Sequence, residues 1–193
     1  GLKAGRFDAI VASMYITPKR CKQIVFADPT YGIGEALIVK AGNPDGLRNY
    51  ADAVRKKRKI AFVAGTAEIE HGRMAGMSSK QQLIVPDFAA AIAAVKAGRA
   101  SAAALTALTA GELAAKDEGI ERAEPFTFTH KGKSYRGEGS FGFRPEDTEL
   151  RDAVNAELKK FIGTDEHLAM IAPFGFDKSN LPEKTAAQHC AGK

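Results

Sequence analysis

Short apolar runs alternate along the chain with longer stretches in which apolar residues recur at helical spacing. The apolar runs predict strands at residues 6–13, 22–27, 35–42, 59–66, 81–86, 100–105 and 139–144. The helical spacing predicts helices at residues 47–56, 67–76, 88–98, 107–119, 147–162 and 164–171. Strands that alternate with helices of this length indicate βαβ units. The pattern therefore predicts an α/β fold with mainly parallel sheets.

Boundary residues support several of these elements. Thr17 and Pro18 predict a turn or helix start, because proline suits the first helical position. Thr66 is the predicted N-cap of helix 67–76, and Asp87 is that of helix 88–98. Residues 126–136 alternate in polarity and predict a hairpin. After residue 171 the sequence predicts an irregular tail.

One tetrapeptide, Lys-Ala-Gly-Arg, occurs twice, at residues 3–6 and 96–99. Each copy is predicted to end a helix and to precede a strand that finishes in hydroxyl residues, 13–17 in the first case and 106–109 in the second. Ligands of such sheets bind beyond the carboxyl ends of the strands. The repetition favours two similar α/β lobes that share a ligand site over chance repetition in an alanine-rich sequence.

Composition and charge exclude several kinds of function. No apolar run approaches the length of a membrane span. The 28 Lys and Arg exceed the 23 Asp and Glu, giving a net charge of +5. The basic cluster 55–59 is compatible with a nucleic-acid or membrane patch, but it has no interleaved aromatic residues, which favours a solvated helix end or loop. The four histidines lack metal-ligand spacing, and residues 31–34 lack phosphate-binding spacing. No cofactor, metal or nucleic-acid partner is expected.

The opening stretch GLKAGRFDAIVASMYITPKRCKQIVFADPTY resembles the first lobe of the family 3 periplasmic solute-binding proteins, the extracytoplasmic receptors of ABC importers. The later stretches VAGTAE, KAGRASAAALT, FGFRPEDTELRDAVNAELKKF and PFGF follow in the order of that family, so the resemblance covers nearly the whole chain. It implies the type II two-lobe periplasmic-binding-protein fold. It also implies a periplasmic, or membrane-associated extracytoplasmic, location and solute binding in the inter-lobe cleft without catalysis.

The same resemblance implies how the chain is divided. Residues 1–34 and 140–193 would form lobe 1, and residues 36–137 would form lobe 2. Hinge crossings are expected near 32–35 and 137–140. The first lobe of the family begins with a βαβα run, whereas this sequence opens on what resembles a helix end. We therefore expect lobe 1 to be incomplete and the signal peptide to have been removed, and we expect a monomer when the protein is intact.

The resemblance assigns ligand contacts in lobe 1. Arg20, in an I-T-x-x-R motif, is expected to clamp a ligand carboxylate, because a guanidinium forms bidentate, charge-assisted pairs with carboxylates. Ser13 and Thr17 would share that carboxylate at a helix N-terminus. Tyr15 is expected either to stack on a cationic ligand face or to pack in the lobe.

In lobe 2 the expected contacts are Gly65, Thr66, Glu68 and Thr106. Gly65 permits close backbone approach, and Thr66 offers a hydroxyl and an amide. Glu68 would bond ligand N–H groups or serve only as a favourable first-turn acid. Thr106 stands where amino-acid receptors of the family usually carry an Asp that pairs with the α-ammonium group.

A neutral residue at position 106 favours a small zwitterionic solute without a primary ammonium group. Ectoine, hydroxyectoine and betaines are such solutes, and a membrane permease would receive them. Three alternatives stay open: a polar amino-acid receptor of the same family, a periplasmic dehydratase of prephenate or arogenate on the same fold, and the effector part of a regulator.

The chain has two cysteines, Cys21 and Cys190. Extracytoplasmic proteins retain disulfides, and the C-terminal segment of the family returns to the first lobe. The resemblance therefore implies a Cys21–Cys190 bond, with two unpaired thiols as the alternative if the tail is disordered.

Overall fold

The computed structural model describes residues 1–126, 128–130 and 133–192. The strands are β1 (Ile10–Tyr15), β2 (Val25–Phe26), β3 (Tyr31–Ile33), β4 (Glu35–Lys40), β5 (Ile60–Val63), β6 (Gln82–Val85), β7 (Ala102–Thr106), β8 (Ile120–Arg122), β9 (Thr129–His130), β10 (Lys133–Ser134) and β11 (Gly137–Phe143). The α-helices are α1 (Pro18–Cys21), α2 (Tyr50–Arg55), α3 (Glu68–Met74), α4 (Phe88–Lys96), α5 (Ala107–Ala115), α6 (Thr148–Phe161), α7 (Asp165–Ile171) and α8 (Ala186–Cys190). Short 3-10 helices cover Leu2–Ala4, Ser79–Gln81, Ala172–Phe174 and Lys178–Asn180. None of the helices in these ranges is long and apolar enough to cross a membrane.

The chain folds into two compact units. Unit 1 consists of Gly1–Ile33 together with Gly137–Lys193, and unit 2 is the continuous segment Gly34–Arg136. The chain leaves unit 1 after β3 and returns to it at the start of β11.

Unit 2 is built on a five-stranded sheet in the order β6-β5-β7-β4-β8. Strand β5 runs parallel to β6 and β7, and these three strands are connected by the helical crossovers α3 and α4. Strand β4 runs antiparallel to both β7 and β8, so the sheet is mixed, with the parallel part on one side. Two apolar clusters form the core; one includes residues of α4 and α5, and the other includes residues of α2.

The sheet of unit 1 is antiparallel in all its described pairs and thus differs from the predicted mainly parallel sheet. Strand β11 pairs with β1, β2 and β3. A parallel pair needs a crossover of about a dozen residues or more. The connections among β1, β2 and β3 carry only the four-residue helix α1, and each of these strands pairs with β11, which runs in the opposite direction. Leu2, Ile16, Ile24 and Phe26 form the buried core here.

The repeated tetrapeptide has the predicted structural role in both copies. Gly5 and Gly98 adopt left-handed backbone conformations, with φ of 66° and 71°, just after a helical segment. Strands β1 and β7 follow the two copies. The helix that ends at the first copy is a single 3-10 turn, whereas the second copy ends α4.

Several boundary predictions can be compared with the structure. Thr17 caps α1, with Pro18 as the first residue, and Asp87 caps α4; both predictions are confirmed. The prediction for Thr66 is wrong, because α3 begins at Glu68 with Ala67 as N-cap and the Thr66 hydroxyl bonds Val63 instead. In the predicted hairpin, β9 pairs antiparallel with β10. Its residues Thr127, Lys131 and Gly132 lie outside the described residues.

Candidate functional site

In unit 1, Arg20 lies on the short helix α1 just beyond the end of β1. The Thr17 hydroxyl oxygen accepts a hydrogen bond from the Arg20 amide at 3.3 Å, which fixes the first turn. The Arg20 guanidinium donates through Nη1 to the Tyr15 carbonyl at 2.7 Å, and the side chain is half-buried. A guanidinium presents its N–H donors in a planar fork whose geometry matches that of a carboxylate.

Two of the other predicted residues of unit 1 serve the sheet itself. Tyr15 is only 7% exposed. Its hydroxyl donates to the Ile33 carbonyl at 3.3 Å, and a Cβ added at Gly137 would lie 2.3 Å from its ring. These contacts pack Tyr15 within the sheet of unit 1, and stacking of its ring on a ligand stays a prediction. Ser13 is exposed, has a positive φ of 49° at the irregular part of β1, and its carbonyl accepts from the Tyr31 hydroxyl at 2.6 Å.

A disulfide joins Cys21 to Cys190, with the Cα atoms 5.6 Å apart. It links α1, which carries Arg20, to the C-terminal helix α8. The Ala186 amide at the start of α8 also donates to Asp28 at 2.9 Å. The helix with the candidate carboxylate clamp is therefore anchored to the end of the chain.

A buried carboxylate, Glu138 on β11, holds the segment before α8 and was not found from the sequence. It accepts hydrogen bonds from the amides of Glu183 at 2.6 Å and Lys184 at 3.2 Å. His189 Nε2 lies 2.7 Å from the same carboxylate. These bonds fix the C-terminal segment on unit 1 beside the disulfide.

In unit 2, the predicted residues lie at the carboxyl ends of two neighbouring parallel strands, β5 and β7. Gly65 follows β5 with a φ of 81°, a conformation that favours glycine. Both the amide and the hydroxyl of Thr66 donate to the Val63 carbonyl, at 3.2 and 2.8 Å. This bonding engages the two donors that the sequence analysis offered to a ligand.

Glu68 opens α3 and is 5% exposed. Burial is the largest cause that raises the pKa of its carboxyl group, and the nearby charge of Glu35 raises it further. Its own backbone amide, His71 and the Thr66 hydroxyl act in the opposite direction. The group is therefore a carboxyl that retains its proton to higher pH than an exposed glutamate does.

Thr106 ends β7 and stands at the N-cap of α5. Its hydroxyl bonds that of Thr109 at 2.9 Å, and the next amide, that of Ala107, donates to the Gly34 carbonyl at 3.0 Å. Across the sheet its register partner is Glu35. This strand end thus carries hydroxyl groups on its own residues and a carboxylate on the neighbouring strand.

The sequence analysis missed that carboxylate. Glu35 and His71 are 6% and 2% exposed and contact each other through Oε1 and Nδ1. The Tyr50 hydroxyl donates to Glu35 Oε2 at 2.5 Å. Positions 35, 50 and 71 follow no common spacing, so no sequence pattern connects them. Across the described ranges, no group of three or more His, Cys, Asp or Glu side chains could hold a metal ion.

Comparison with known proteins identifies the family. The model of the bacterial extracellular solute-binding proteins, family 3, matches residues 1–174. The chain is a family 3 solute-binding protein. Among the relatives of this solute-binding protein is the probable amino-acid ABC transporter periplasmic-binding protein of Sinorhizobium fredii, 35% identical over 99% of the chain and 65% of the relative. The lysine/arginine/ornithine-binding periplasmic protein of Escherichia coli is 32% identical over 81% of the chain and 60% of its own length.

A solved structure, EhuB in complex with hydroxyectoine, matches the whole chain of this solute-binding protein with a TM-score of 0.84 and 32% identity. The match covers 74% of EhuB. The resemblance inferred from the sequence and the type II two-lobe fold are thereby confirmed. The chain spans less than two thirds of the length of the two curated relatives, at 65% and 60%.

Proposed function

We propose that the chain is the extracytoplasmic solute-binding component of an ABC importer, and that it binds ectoine, hydroxyectoine or a similar small zwitterionic solute. Family membership and the names of the relatives support the transport role. In this role the protein carries out no chemistry on the solute and passes it to a membrane permease.

Arg20 supports recognition of the solute carboxylate. The guanidinium is held by the Tyr15 carbonyl on a capped turn, and a guanidinium and a carboxylate form a planar, charge-assisted pair. Thr17 supports carboxylate recognition by fixing this turn. Ser13, at the irregular part of β1, would offer its hydroxyl to the same carboxylate. Tyr15 supports the site from within the sheet.

The observation that carries the choice of solute is the bonding at Thr106. Thr106 at the end of β7 forms a neutral hydroxyl pair with Thr109 in the first turn of α5. A primary ammonium group would find no carboxylate on these two side chains. The nearby carboxyl groups of unit 2 are also poorer partners for an ammonium group. Glu35 is already bonded to Tyr50 and His71, and the pKa of Glu68 is raised. A cyclic solute with delocalised positive charge loses less from this arrangement than an α-amino acid does.

A thermal-shift and calorimetric panel tests the proposal with ectoine, hydroxyectoine, L-arginine, L-lysine and L-histidine. A ligand at about 100 times its Kd stabilises the folded state by roughly 2.7 kcal/mol. We expect stabilisation by the ectoines and little by the amino acids. The variant Thr106→Asp should reverse that order, whereas Thr109→Ser should preserve it. Stabilisation of the wild type by an amino acid alone would replace the ectoine proposal with an amino-acid receptor.

One observation favours a second candidate, the dehydratase. A general acid works best when its pKa is raised toward the operating pH, and burial and the charge of Glu35 raise the pKa of Glu68. Incubation with prephenate or arogenate, followed by ultraviolet detection of the aromatic product, distinguishes a dehydratase from a binding protein. Product formation that Glu68→Gln abolishes would support an enzyme, and absence of product supports the binding role.

A further inference from the structure

Three elements of unit 2 meet at one buried carboxylate. Glu35 opens β4, Tyr50 opens α2, and His71 lies in the middle of α3. Tyr50 donates to one oxygen of Glu35, and His71 contacts the other. All three residues are buried, and the Tyr50 ring packs at 6.1 Å from Phe62 in the apolar core. We call these three residues the Glu35 cluster.

A buried ionic cluster is weak evidence for a role in stability. Replacing a buried ionic contact by well-packed apolar residues is often neutral or stabilising, whereas a polar cluster selects one arrangement of the elements that meet there. The Glu35 cluster lies next to the candidate solute contacts of unit 2, because α3 carries Glu68 and β4 pairs with β7, which ends at Thr106. Glu35 is the register partner of Thr106 at the end of β7. His71 lies three residues after Glu68 on α3, and therefore on the same side of that helix.

Other titratable groups face the Glu35 cluster. Glu68 lies close enough that the charge of Glu35 raises its pKa, after the larger effect of burial. Tyr135 packs its ring 4.2 Å from that of His71, and burial and both carboxylates raise the pKa of its phenol. Phe128 stacks on His71 at 5.7 Å. The charge state of Glu68 is thus coupled to the cluster.

We propose that Glu35, Tyr50 and His71 are positioning residues for the solute contacts of unit 2. The Glu35 carboxylate holds α2 through Tyr50 and α3 through His71, and Glu35 itself is the register partner of Thr106 on β7. In this way the cluster keeps Glu68, Thr66 and Thr106 in a single arrangement. This inference rests on the proposed binding function. It assigns the cluster no direct contact with the solute.

The test compares the wild type with Glu35→Gln, Tyr50→Phe and, as matched control, Glu70→Gln. Glu70 lies on the same helix α3, is exposed, and its side chain pairs with Arg73. Solute affinity is measured by calorimetry with hydroxyectoine and the same panel between pH 5 and pH 8, and the thermal midpoint is measured in parallel. We expect Glu35→Gln to weaken binding about tenfold or more and Tyr50→Phe to weaken it several-fold. Glu70→Gln should stay within about twofold of the wild type.

The pH profile separates positioning from a general loss of structure. Removing the charge of Glu35 lowers the pKa of Glu68, so the midpoint of affinity against pH should move to lower pH in Glu35→Gln and stay unchanged in Glu70→Gln. If Glu35→Gln does not fold, the affinity of Tyr50→Phe tests the proposal instead, because this variant removes one hydroxyl and keeps the ring. Wild-type affinity and an unshifted midpoint in the folded variants would overturn this inference alone. Failure of the wild type to bind any solute of the panel would overturn the proposed function and this inference with it.

Discussion

Arg20 owes its position to its nearest neighbours along the chain. Its amide is held by Thr17 and its guanidinium by Tyr15, both within five residues. Because this bonding is local, the residues that hold Arg20 lie in or next to the I-T-x-x-R motif through which the family resemblance nominates it. The Glu35 cluster is the opposite case, because its three members are brought together only by the packing of a strand and two helices. A family resemblance carried by a local motif nominates the first kind of site, whereas residue spacing carries no information about the second.

Arg20→Ala is expected to remove carboxylate recognition. Truncating one partner of a desolvated charge pair costs about 2–5 kcal/mol, which corresponds to a loss of affinity of roughly 30-fold or more. Calorimetry with hydroxyectoine measures the loss in the intact protein. Lys19→Ala is the matched control, because Lys19 is an exposed cation on the same helix. Equal affinities of the wild type and Arg20→Ala would show that Arg20 does not clamp the solute.

Glu68 should make stability depend on pH. Its pKa is raised in the folded state, chiefly by burial and then by Glu35. A group with a raised folded-state pKa contributes stability below its unfolded pKa and loses it as pH rises through the folded value. Glu68→Gln should therefore gain stability relative to the wild type as pH rises toward 8. Urea unfolding of both proteins from pH 5 to pH 8 measures this, and a difference that does not vary with pH would contradict it.

At the scale of elements, local signals predicted most of the helices and strands, and long-range pairing determined the rest. The helix α8 was missed because five residues are too few for a periodic pattern, although Thr185 and Gln188 form a capping box that the sequence contains. No strand is predicted at the position of β3, which overlaps the expected hinge crossing near 32–35, because its pairing depends on β11, a strand distant in sequence. The prediction of parallel strands in unit 1 was wrong because strand direction there also depends on pairing with the distant strand β11.

The disulfide connects two secondary-structure elements, α1 and α8. Its residues are 169 positions apart in sequence. Closing a loop of this length removes conformational freedom from the unfolded chain, for which the chain-entropy model gives about 4–5 kcal/mol, while engineered and natural bonds often deliver about 2–4 kcal/mol. We expect Cys21→Ser with Cys190→Ser to lose stability in that lower range.

Urea unfolding of the oxidised wild type and the double variant measures the loss. Thiol titration of the unreduced, denatured wild type should find no free thiol in the same preparation. Val11→Ser, at an exposed position of β1 in the same unit, serves as the control and should leave the unfolding midpoint nearly unchanged. Two free thiols per chain, or equal midpoints for the double variant and the wild type, would contradict the role given to the bond.

At the scale of the whole molecule, the two units differ in how their cores are built. Unit 2 is continuous in sequence and covers its five-stranded sheet with two apolar clusters. Unit 1 is assembled from two separate segments around a smaller cluster, and it leaves Val11, Met170 and Phe174 more than half exposed. A continuous segment with its own core is able to fold independently.

We therefore expect residues 34–136, produced alone, to fold. The segment keeps the sheet order, the crossovers α3 and α4, and the Glu35 cluster, since all of these lie within it. A domain of about 100 residues unfolds with an enthalpy of about 60–80 kcal/mol in one cooperative transition. Calorimetry and far-ultraviolet circular dichroism measure this transition. Phe62→Ala, which opens a cavity in a fully buried part of the core, should lower its midpoint, because such substitutions cost about 3–5 kcal/mol. A segment without a cooperative transition would show that unit 2 depends on unit 1 for its fold.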